Sequence, residues 1–146
     1  MRTPSSLNQY LADLYRIVLG LLIAIHGASS LFGWFGGAVG TGKTISPTSW
    51  PGGYAAVIQL VCGLLVLIGL ATRPAAVLLS GSMAFAYFDI HQKHALLPIQ
   101  NGGELAALFS WGFLMVAIIG PGTWSLDKVL GRSRGKSSGR AAVSEA

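Results

Sequence analysis

Charged residues are scarce in this sequence. Its 146 residues include 10 Lys and Arg and 5 Asp and Glu, so that 10% are charged, whereas a soluble domain carries about 25%. Hydrophobic residues make up 52% of the chain and glycine numbers 20. So few charges cannot cover that much apolar surface in water, which argues against a soluble enzyme domain, a nucleic-acid-binding module and a disordered chain. The composition predicts a small, single-domain membrane protein with several spanning helices.

Cysteine is nearly absent, since Cys62 is the single one. One thiol excludes an internal disulfide, a Cys-x-x-Cys redox pair and a thiolate metal site within the chain. We expect Cys62 to be a small packing residue. The net charge of +5 does not indicate nucleic acid either, because half of the basic residues follow residue 127 and the others are scattered singly.

Four apolar runs predict an all-α fold, a four-helix transmembrane bundle. A spanning helix needs about 20 apolar residues, and the last two runs reach that length only with their flanking residues. The first run lacks a small-residue cleavage site at its end, so we interpret it as a retained helix rather than a signal peptide. A tight turn at Thr72-Arg73-Pro74 is expected to join the second and third helices. The runs are residues 17–35, 54–72, 74–88 and 105–120.

The distribution of Lys and Arg predicts that both termini are cytoplasmic, because positive charge accumulates on that side of a membrane. With this orientation only Lys43 and Lys93 lie outside. Residues 1–130 then form the membrane domain and residues 131–146 a basic, disordered cytoplasmic tail, with a short amphipathic helix expected after Ser125. The inner side holds Arg2, Arg16, Arg73, Lys128, Arg132, Arg134, Lys136 and Arg140.

Small residues recur at every fourth position in two of the predicted helices. Such stripes allow helix backbones to approach closely in lipid, so they predict a compact bundle. We expect Trp111 to be a packing residue in the fourth helix. The stripes are Gly20, Ala24 and Ala28 in the first helix and Ala76, Ser80 and Ala84 in the third.

Residues 37–44 match the phosphate-binding loop pattern G-x-x-x-x-G-K-T. That loop binds phosphate only when a strand precedes it and a helix begins at its lysine. Here an apolar helix precedes the segment, and Pro47 and Pro51 follow it. We interpret the match as a coincidence and expect no nucleotide binding.

Two polar residues are expected within the membrane, where such groups are costly and often functional. His26 lies near the predicted midplane. It is either a proton relay or donor to a ligand carbonyl, or a neutral imidazole bonded to a neighbouring helix. Gln59 lies nearer the outer end of the second helix, and its amide either joins helices or contacts a ligand.

Further polar residues fall near the outer surface. Asp89, His91 and His94 form the pattern D-x-H-x-x-H, which we interpret as a solvated loop rather than a metal site. Asn101 and Glu104 resemble a capping box at the start of the fourth helix, although Glu104 could instead serve in a site.

These positions predict an outward-opening polar pocket between helices, with His26 as its floor, because pockets between bundle helices commonly hold small ligands. No metal is expected there. The predicted ligand-binding residues are His26, Gln59, Tyr87, His91, Asn101 and Glu104.

Ordered motifs lie along all four predicted helices. They are His26-Gly27 with Leu31-Phe32-Gly33-Trp34-Phe35-Gly36-Gly37, Gly69-Leu70-Ala71-Thr72-Arg73-Pro74, Ala86-Tyr87-Phe88 with His91, Pro98 with Asn101-Gly102-Gly103-Glu104, and Gly120-Pro121-Gly122 with Trp124-Ser125-Leu126-Asp127. Through these motifs the chain resembles the DoxX family of small bacterial membrane proteins over about residues 12–130.

The resemblance implies a multi-pass protein of the bacterial inner membrane, linked to quinone-dependent or oxidative-stress chemistry. We expect an accessory subunit of a membrane oxidoreductase that has no intrinsic cofactor but binds a quinone. The alternative is a non-catalytic membrane scaffold or small-molecule transporter that assembles as a homo-oligomer. The resemblance leaves open whether the chain is itself an enzyme.

Three positions depart from the family pattern. Relatives usually carry Lys at the position of Ser30 and Glu at the positions of Gln59 and Ser82, so all three charged groups are neutral here. If those charges form a site in relatives, this chain lacks it.

Overall fold

The computed structural model describes residues 6–131, which form helices joined by loops and contain no strand. The helices are α1 (Ser6–Phe32), α2 (Gly52–Ile68), α3 (Thr72–Ala86), the one-turn α4 (Pro98–Asn101) and α5 (Glu104–Ile119). A π-helical turn, Tyr87–His91, continues α3. Residues 126–131 are also helical, as expected for the short helix after Ser125. The prediction of an all-α fold is therefore confirmed.

The connection between α2 and α3 differs from the predicted turn. Gly69 ends α2 in the left-handed conformation (φ 74°), and its N–H bonds to the carbonyls of Leu65 and Val66. The turn therefore lies at residues 69–71, and α3 begins at Thr72. Pro74 belongs to the first turn of α3, where the missing N–H has no helical partner to lose.

Helix α1 packs most extensively along α2, and α3 along α5. Glycines allow the close approach of α1 and α2 that the small-residue stripe predicts. A Cβ on Gly27 would lie 2.5 Å from the backbone nitrogen of Leu60, and one on Gly20 would lie 2.7 Å from that of Leu67. Only a hydrogen atom fits at either position.

The core runs between the four long helices and includes Ile23, Val66, Leu79 and Phe113. Cys62 is buried in it, as predicted. The expectation for Trp111 is wrong, because its side chain is 72% exposed. Phe113 takes the core position instead, since residues two apart on a helix face different directions.

All four long helices also present large apolar side chains on the outside. Among the described residues, α1 is the helix long and apolar enough to cross a membrane by itself, and α2 and α5 are shorter apolar helices. The exposed side chains include Val18 and Leu22 on α1, Val61 and Leu64 on α2, Val77 and Leu78 on α3, and Leu108 and Ile118 on α5.

Two further predictions concern the segments outside the bundle. Residues 37–44 form 3₁₀ turns and a bend between α1 and α2, so within the described chain neither a preceding strand nor a helix beginning at Lys43 accompanies them. The predicted tail lies outside the described residues, except for Gly131.

Candidate functional site

The bundle has two distinct ends. At one, which we call the loop end, α1 and the π turn finish and α2 and α5 begin. At the other, which we call the hairpin end, the turn at residues 69–71 meets the segment after α5. The predicted site residues lie toward the loop end.

Asn101 anchors a polar cluster at the loop end. Its buried side-chain amide donates to the carbonyl of Ala95 (2.9 Å), and its Oδ1 accepts from the N–H of Gly103 (2.7 Å). Its backbone carbonyl lies 3.1 Å from Nδ1 of His91. These bonds join the end of the π turn to the start of α5.

The predicted capping box is wrong. The residue before α5 is Gly103, which makes no side-chain cap, and Glu104 is exposed in the first turn. Pro98 begins the extra turn α4, and Asn101 ends it. The Asn101 side chain therefore bonds two residues ahead, in the manner of an Asx turn, and does not reach the first N–H groups of α5.

The hydrogen bond between His91 and the carbonyl of Asn101 shows which ring nitrogen of His91 carries a hydrogen. A carbonyl only accepts, so Nδ1 of His91 carries the hydrogen and donates to Asn101. In the neutral imidazole, Nε2 is then a hydrogen-bond acceptor.

Tyr87 joins the same cluster, because its hydroxyl donates to the carbonyl of Leu96 (3.3 Å). A Cβ on Gly103 would lie 2.8 Å from Cδ2 of Tyr87 and 2.9 Å from Cβ of His91. The structure thus brings together three of the predicted residues, Tyr87, His91 and Asn101.

The side chains of His26 and Glu104 take no part in the hydrogen bonds of this cluster. Both side chains are exposed, and neither forms a hydrogen bond or ion pair in the part of the chain that the structure describes. The ligand-binding role of His26 stays a prediction.

The D-x-H-x-x-H pattern is divided by the end of the helix. Asp89 pairs with Lys93 at 2.7 Å, and His94 lies exposed beyond the π turn. Within residues 6–131 there is no group of three or more His, Cys, Asp or Glu side chains arranged to hold a metal ion.

A groove of about 280 Å³ lies between α2 and α3 toward the loop end, and we call it the α2–α3 groove. Among its lining residues, Trp50 makes edge contacts with the rings of Tyr54 (centroids 5.9 Å apart) and Phe85 (5.8 Å). The lining carries no charged side chain and differs from the predicted polar pocket. It consists of Trp50, Pro51, Tyr54, Ala55, Ile58, Val77, Leu78, Gly81, Ser82 and Phe85.

At the hairpin end, a buried charged pair fixes the start of α1. Asp13 and Arg16 are 0% and 1% exposed, with 4.0 Å between their charged atoms. Oδ2 of Asp13 accepts from the N–H groups of Thr123 (3.1 Å) and Trp124 (3.2 Å), and from the Thr123 hydroxyl.

The guanidinium of Arg16 hydrogen-bonds to backbone carbonyls of two different segments. Its guanidinium donates to Val66, Leu67 (2.8 Å) and Trp124 (2.6 Å). It therefore satisfies carbonyls at the end of α2, which have no helical partner, and joins them to the segment after α5. Two atoms of this pair, Oδ1 of Asp13 and Nε of Arg16, are buried from solvent without a hydrogen-bond partner.

Asp127 closes the same end of the bundle from the other side of the turn. Its carboxylate accepts from the N–H of Ala71 (2.9 Å) and from the N–H and hydroxyl of Thr72 (both 3.1 Å). Partial burial opposes the ionised form, but these hydrogen bonds and the charge of Arg16 outweigh it and lower the pKa of Asp127 below its usual value.

The contacts of Asp13, Arg16 and Asp127 were not predicted from the sequence, in which Arg16 served only as a marker of orientation. A signal was present, because Asp13 and Arg16 are three residues apart and share a helix face. They also stand out in a chain with only 5 acidic residues.

Comparisons with known proteins identify the family. The DoxX profile matches residues 11–92. An uncharacterised protein of Haemophilus influenzae is 36% identical over 136 residues, which cover 87% of this chain and 96% of that protein. Inner membrane protein YqjF of Escherichia coli is 28% identical over 130 residues, covering 84% and 96%. An uncharacterised membrane protein of Mycobacterium tuberculosis is 37% identical over 90 residues, covering 52% and 53%. No solved structure matches the chain.

The apolar outer surface and these relatives define a helical membrane protein. More specifically, the chain belongs to the DoxX family. The resemblance found in the sequence is therefore confirmed.

Proposed function

We propose that the chain is a four-span protein of the bacterial inner membrane that binds a quinone in the α2–α3 groove. It would serve as an accessory subunit of a membrane oxidoreductase or of a quinone-linked oxidative-stress system. The observation that carries the proposal is the groove itself, an uncharged space of about 280 Å³ whose lining includes three aromatic rings in contact with one another.

Helix lengths support four spans. At 1.5 Å per residue, the 27 residues of α1 extend about 40 Å, and residues 72–91 extend about 30 Å once the π turn is added to α3. The 17 residues of α2 and 16 of α5 reach only about 25 Å. Such short helices are accommodated by local thinning of the bilayer and by flanking aromatic residues. The apolar side chains exposed on all four helices need lipid to cover them.

Charge distribution supports the orientation. Arg73 and Lys128 lie at the hairpin end, and Lys43 and Lys93 lie in loops at the loop end. Arg16 also lies at the hairpin end, where it donates to the carbonyl of Trp124. The positive-inside rule then places both termini in the cytoplasm and the groove in the outer leaflet.

The groove favours a flat, uncharged ring. Aromatic edges pack well against the face of another ring, and pockets for small ligands are mostly apolar with a few polar groups. The lining carries no group that transfers electrons, so the electrons would come from a partner protein or reside on the quinone.

Native mass spectrometry of the protein, released gently from its own membrane, tests this proposal. A quinone retained at fixed stoichiometry, with or without an oxidoreductase subunit, supports it. Phospholipid alone on a monomer or homo-oligomer would contradict it.

The second candidate is a non-catalytic scaffold or small-molecule transporter. The buried charges favour it, because Asp13, Arg16 and Asp127 are engaged in joining segments of the fold. Quinone-dependent turnover by the purified protein would exclude this candidate.

A further inference from the structure

His26 is exposed on the outside of α1 and has no partner. Its side chain forms no hydrogen bond or ion pair with any residue in the described range 6–131. A neutral imidazole has one donor and one acceptor nitrogen, and the hydrocarbon chains of lipid supply neither kind of partner. Ionisable residues in membrane helices almost always face other protein groups or water. The exposure of His26 therefore indicates that another molecule contacts this side of α1.

The contacts of Gly27 give the depth of His26 in the bundle. A Cβ on Gly27 would lie 2.5 Å from the backbone nitrogen of Leu60 and 2.7 Å from the carbonyl oxygen of Ala56. Helix α2 extends from Gly52 to Ile68, so Leu60 is its midpoint. His26 therefore lies halfway along α2, about 12 Å from either end of that helix. Because the imidazole lacks the long flexible stem with which Lys and Arg reach the interface, its ring stays at this depth.

Gln59 lies at the same depth on α2 but inside the bundle. It is 5% exposed, and it shares a face of α2 with the core residues Cys62 and Val66, three and seven positions later. Its side chain makes no hydrogen bond with His26 or with any other described residue. Of the two polar residues predicted within the membrane, His26 is thus the one that faces outward.

Helix α5 covers the same side of α1 nearer the hairpin end. A Cβ on Gly112 would lie 3.0 Å from the side chain of Leu19 and 3.1 Å from the hydroxyl of Tyr15. His26 comes seven residues after Leu19, so it lies on the same side of α1 but about 10 Å closer to the loop end. Because His26 is exposed, α5 does not extend this cover to it.

Four residues form a continuous patch on α1 around the uncovered imidazole. Leu22, Ile25, His26 and Ser29 are spaced as i, i+3, i+4 and i+7, so they are neighbours on one helix surface, and we call them the His26 patch. Leu22 and Ile25 are exposed. Ser29 is half-buried, and its hydroxyl donates to the carbonyl of Gly37 (2.9 Å). Its small side chain lets a second helix approach the backbone closely.

We propose that α1 pairs with the α1 of a second copy of this chain through the His26 patch, and that a hydrogen bond joins the two His26 rings. Copies with the same orientation in a membrane are related by a two-fold axis along its normal, so each residue meets its counterpart at the same depth. A neutral imidazole is complementary to itself, because the N–H of one ring donates to the bare nitrogen of the other. A different protein would need its own polar group at this depth, whereas a second copy supplies one by symmetry. The pairing requires insertion in the membrane but no bound quinone.

Cysteine cross-linking in native membranes tests the pairing. In a Cys62→Ala background, Ile25→Cys is oxidised with copper phenanthroline, and a disulfide forms only where two Cβ atoms come within about 4.5 Å of each other. Ile25→Cys should give a cross-linked product of twice the mass of the chain. Leu78→Cys is the matched control and should stay monomeric, because Leu78 is exposed near the middle of α3, which packs against α2 and α5.

Two substitutions of His26 test the hydrogen bond. Energy transfer between labelled copies in lipid vesicles measures the association constant. His26→Leu should weaken association about threefold to tenfold, the range usual for a hydrogen bond between membrane helices. His26→Asn should keep most of the affinity, because a carboxamide also has both a donor and an acceptor.

Three results would overturn the pairing with a second copy. In the first, Ile25→Cys and Leu78→Cys cross-link to the same extent, or neither does. In the second, His26→Leu associates as tightly as the wild type. In the third, the product from Ile25→Cys has a mass that identifies a different protein as the partner.

Gly81→Leu separates this inference from the proposed function. Because the variant fills the α2–α3 groove, it should lose quinone binding and still associate as the wild type does. Loss of association in Gly81→Leu would contradict a pairing that needs no quinone. Unchanged quinone binding in Gly81→Leu would instead contradict the proposed function and leave the pairing in place.

Discussion

Asp127 and Thr72 are joined by two hydrogen bonds of 3.1 Å, one from the backbone N–H of Thr72 and one from its hydroxyl. The first N–H groups of a helix have no partner within the helix. Asp127 supplies that partner to α3 from beyond the end of α5. The bond therefore holds the fourth long helix and the helical hairpin together at one end of the bundle.

Asp127→Asn should lower the free energy of unfolding by about 1 kcal/mol, the usual effect of losing a helix cap. The amide keeps one acceptor oxygen but loses the charge that favours the helix N-terminus. Thermal unfolding in detergent measures the change. Lys128→Gln, at the neighbouring position, is the control and should match the wild type.

The effect of Asp127→Asn on stability should depend on pH. The folded-state pKa of Asp127 is lowered from 3.8, so its contribution to stability is present above that value and is lost as the pH falls through the lower folded-state pKa. The stability difference between wild type and Asp127→Asn should therefore shrink as the pH falls from about 6 to 3. A difference that stays constant over this range contradicts the assigned role of the carboxylate.

Arg16→Leu should destabilise the protein by about 3–5 kcal/mol, because it leaves the carboxylate of Asp13 buried without its compensating charge. It also removes the donors to three carbonyls. Adding Asp13→Leu should restore part of the loss, since the remaining charge is then absent. Denaturation of both single variants and the double variant gives the coupling energy, and strictly additive effects would refute this account.

Alanine substitutions at two glycines in the middle of helices should change the stability of the protein in opposite directions. Gly27→Ala places a Cβ 2.5 Å from the backbone of α2 and should cost about 1–3 kcal/mol through overpacking. Gly81→Ala meets open space and should stabilise α3 by up to about 1 kcal/mol through helix propensity. Thermal unfolding of the pair measures both signs. Equal effects would mean that α1 and α2 do not approach as closely as described.

Cysteine labelling in intact cells tests the orientation. In a Cys62→Ala background, Lys43→Cys should react with a membrane-impermeant maleimide added outside, and Lys128→Cys should react only after the cells are opened. Lys43 lies in a loop at the loop end, and Lys128 follows α5. The reverse pattern, or labelling of both positions from one side, contradicts the proposed orientation.

The helices were predictable because hydrophobic runs dominate the sequence. The ends of the helices were harder to predict, since they depend on local backbone conformation and hydrogen bonding. Gly69 in the left-handed conformation moved the turn toward α2, and Pro98 added the turn α4 before α5. The start of α1 lies before the apolar run, in a polar segment that includes Asp13, whose carboxylate accepts from the N–H groups of Thr123 and Trp124.

The candidate site was predictable in residue types but not in arrangement. Tyr87, His91 and Asn101 meet as expected, whereas His26 and Glu104 lie exposed. Which face of a helix points inward depends on how neighbouring helices pack, and four nearly uniformly apolar helices carry little of that information. Gly81 lines the groove, and a Cβ there would meet no atom within 4 Å, a feature that appears only once α2 and α3 are packed together.

Titration with ubiquinone-1 in lipid nanodiscs tests the central claim most directly. The wild type should bind one quinone per chain, and Gly81→Leu, which fills the α2–α3 groove, should weaken binding at least about tenfold. Trp111→Leu, an exposed aromatic outside the groove, should bind as the wild type does. Equal affinity of wild type and Gly81→Leu, or equal loss in both variants, would contradict quinone binding at this groove.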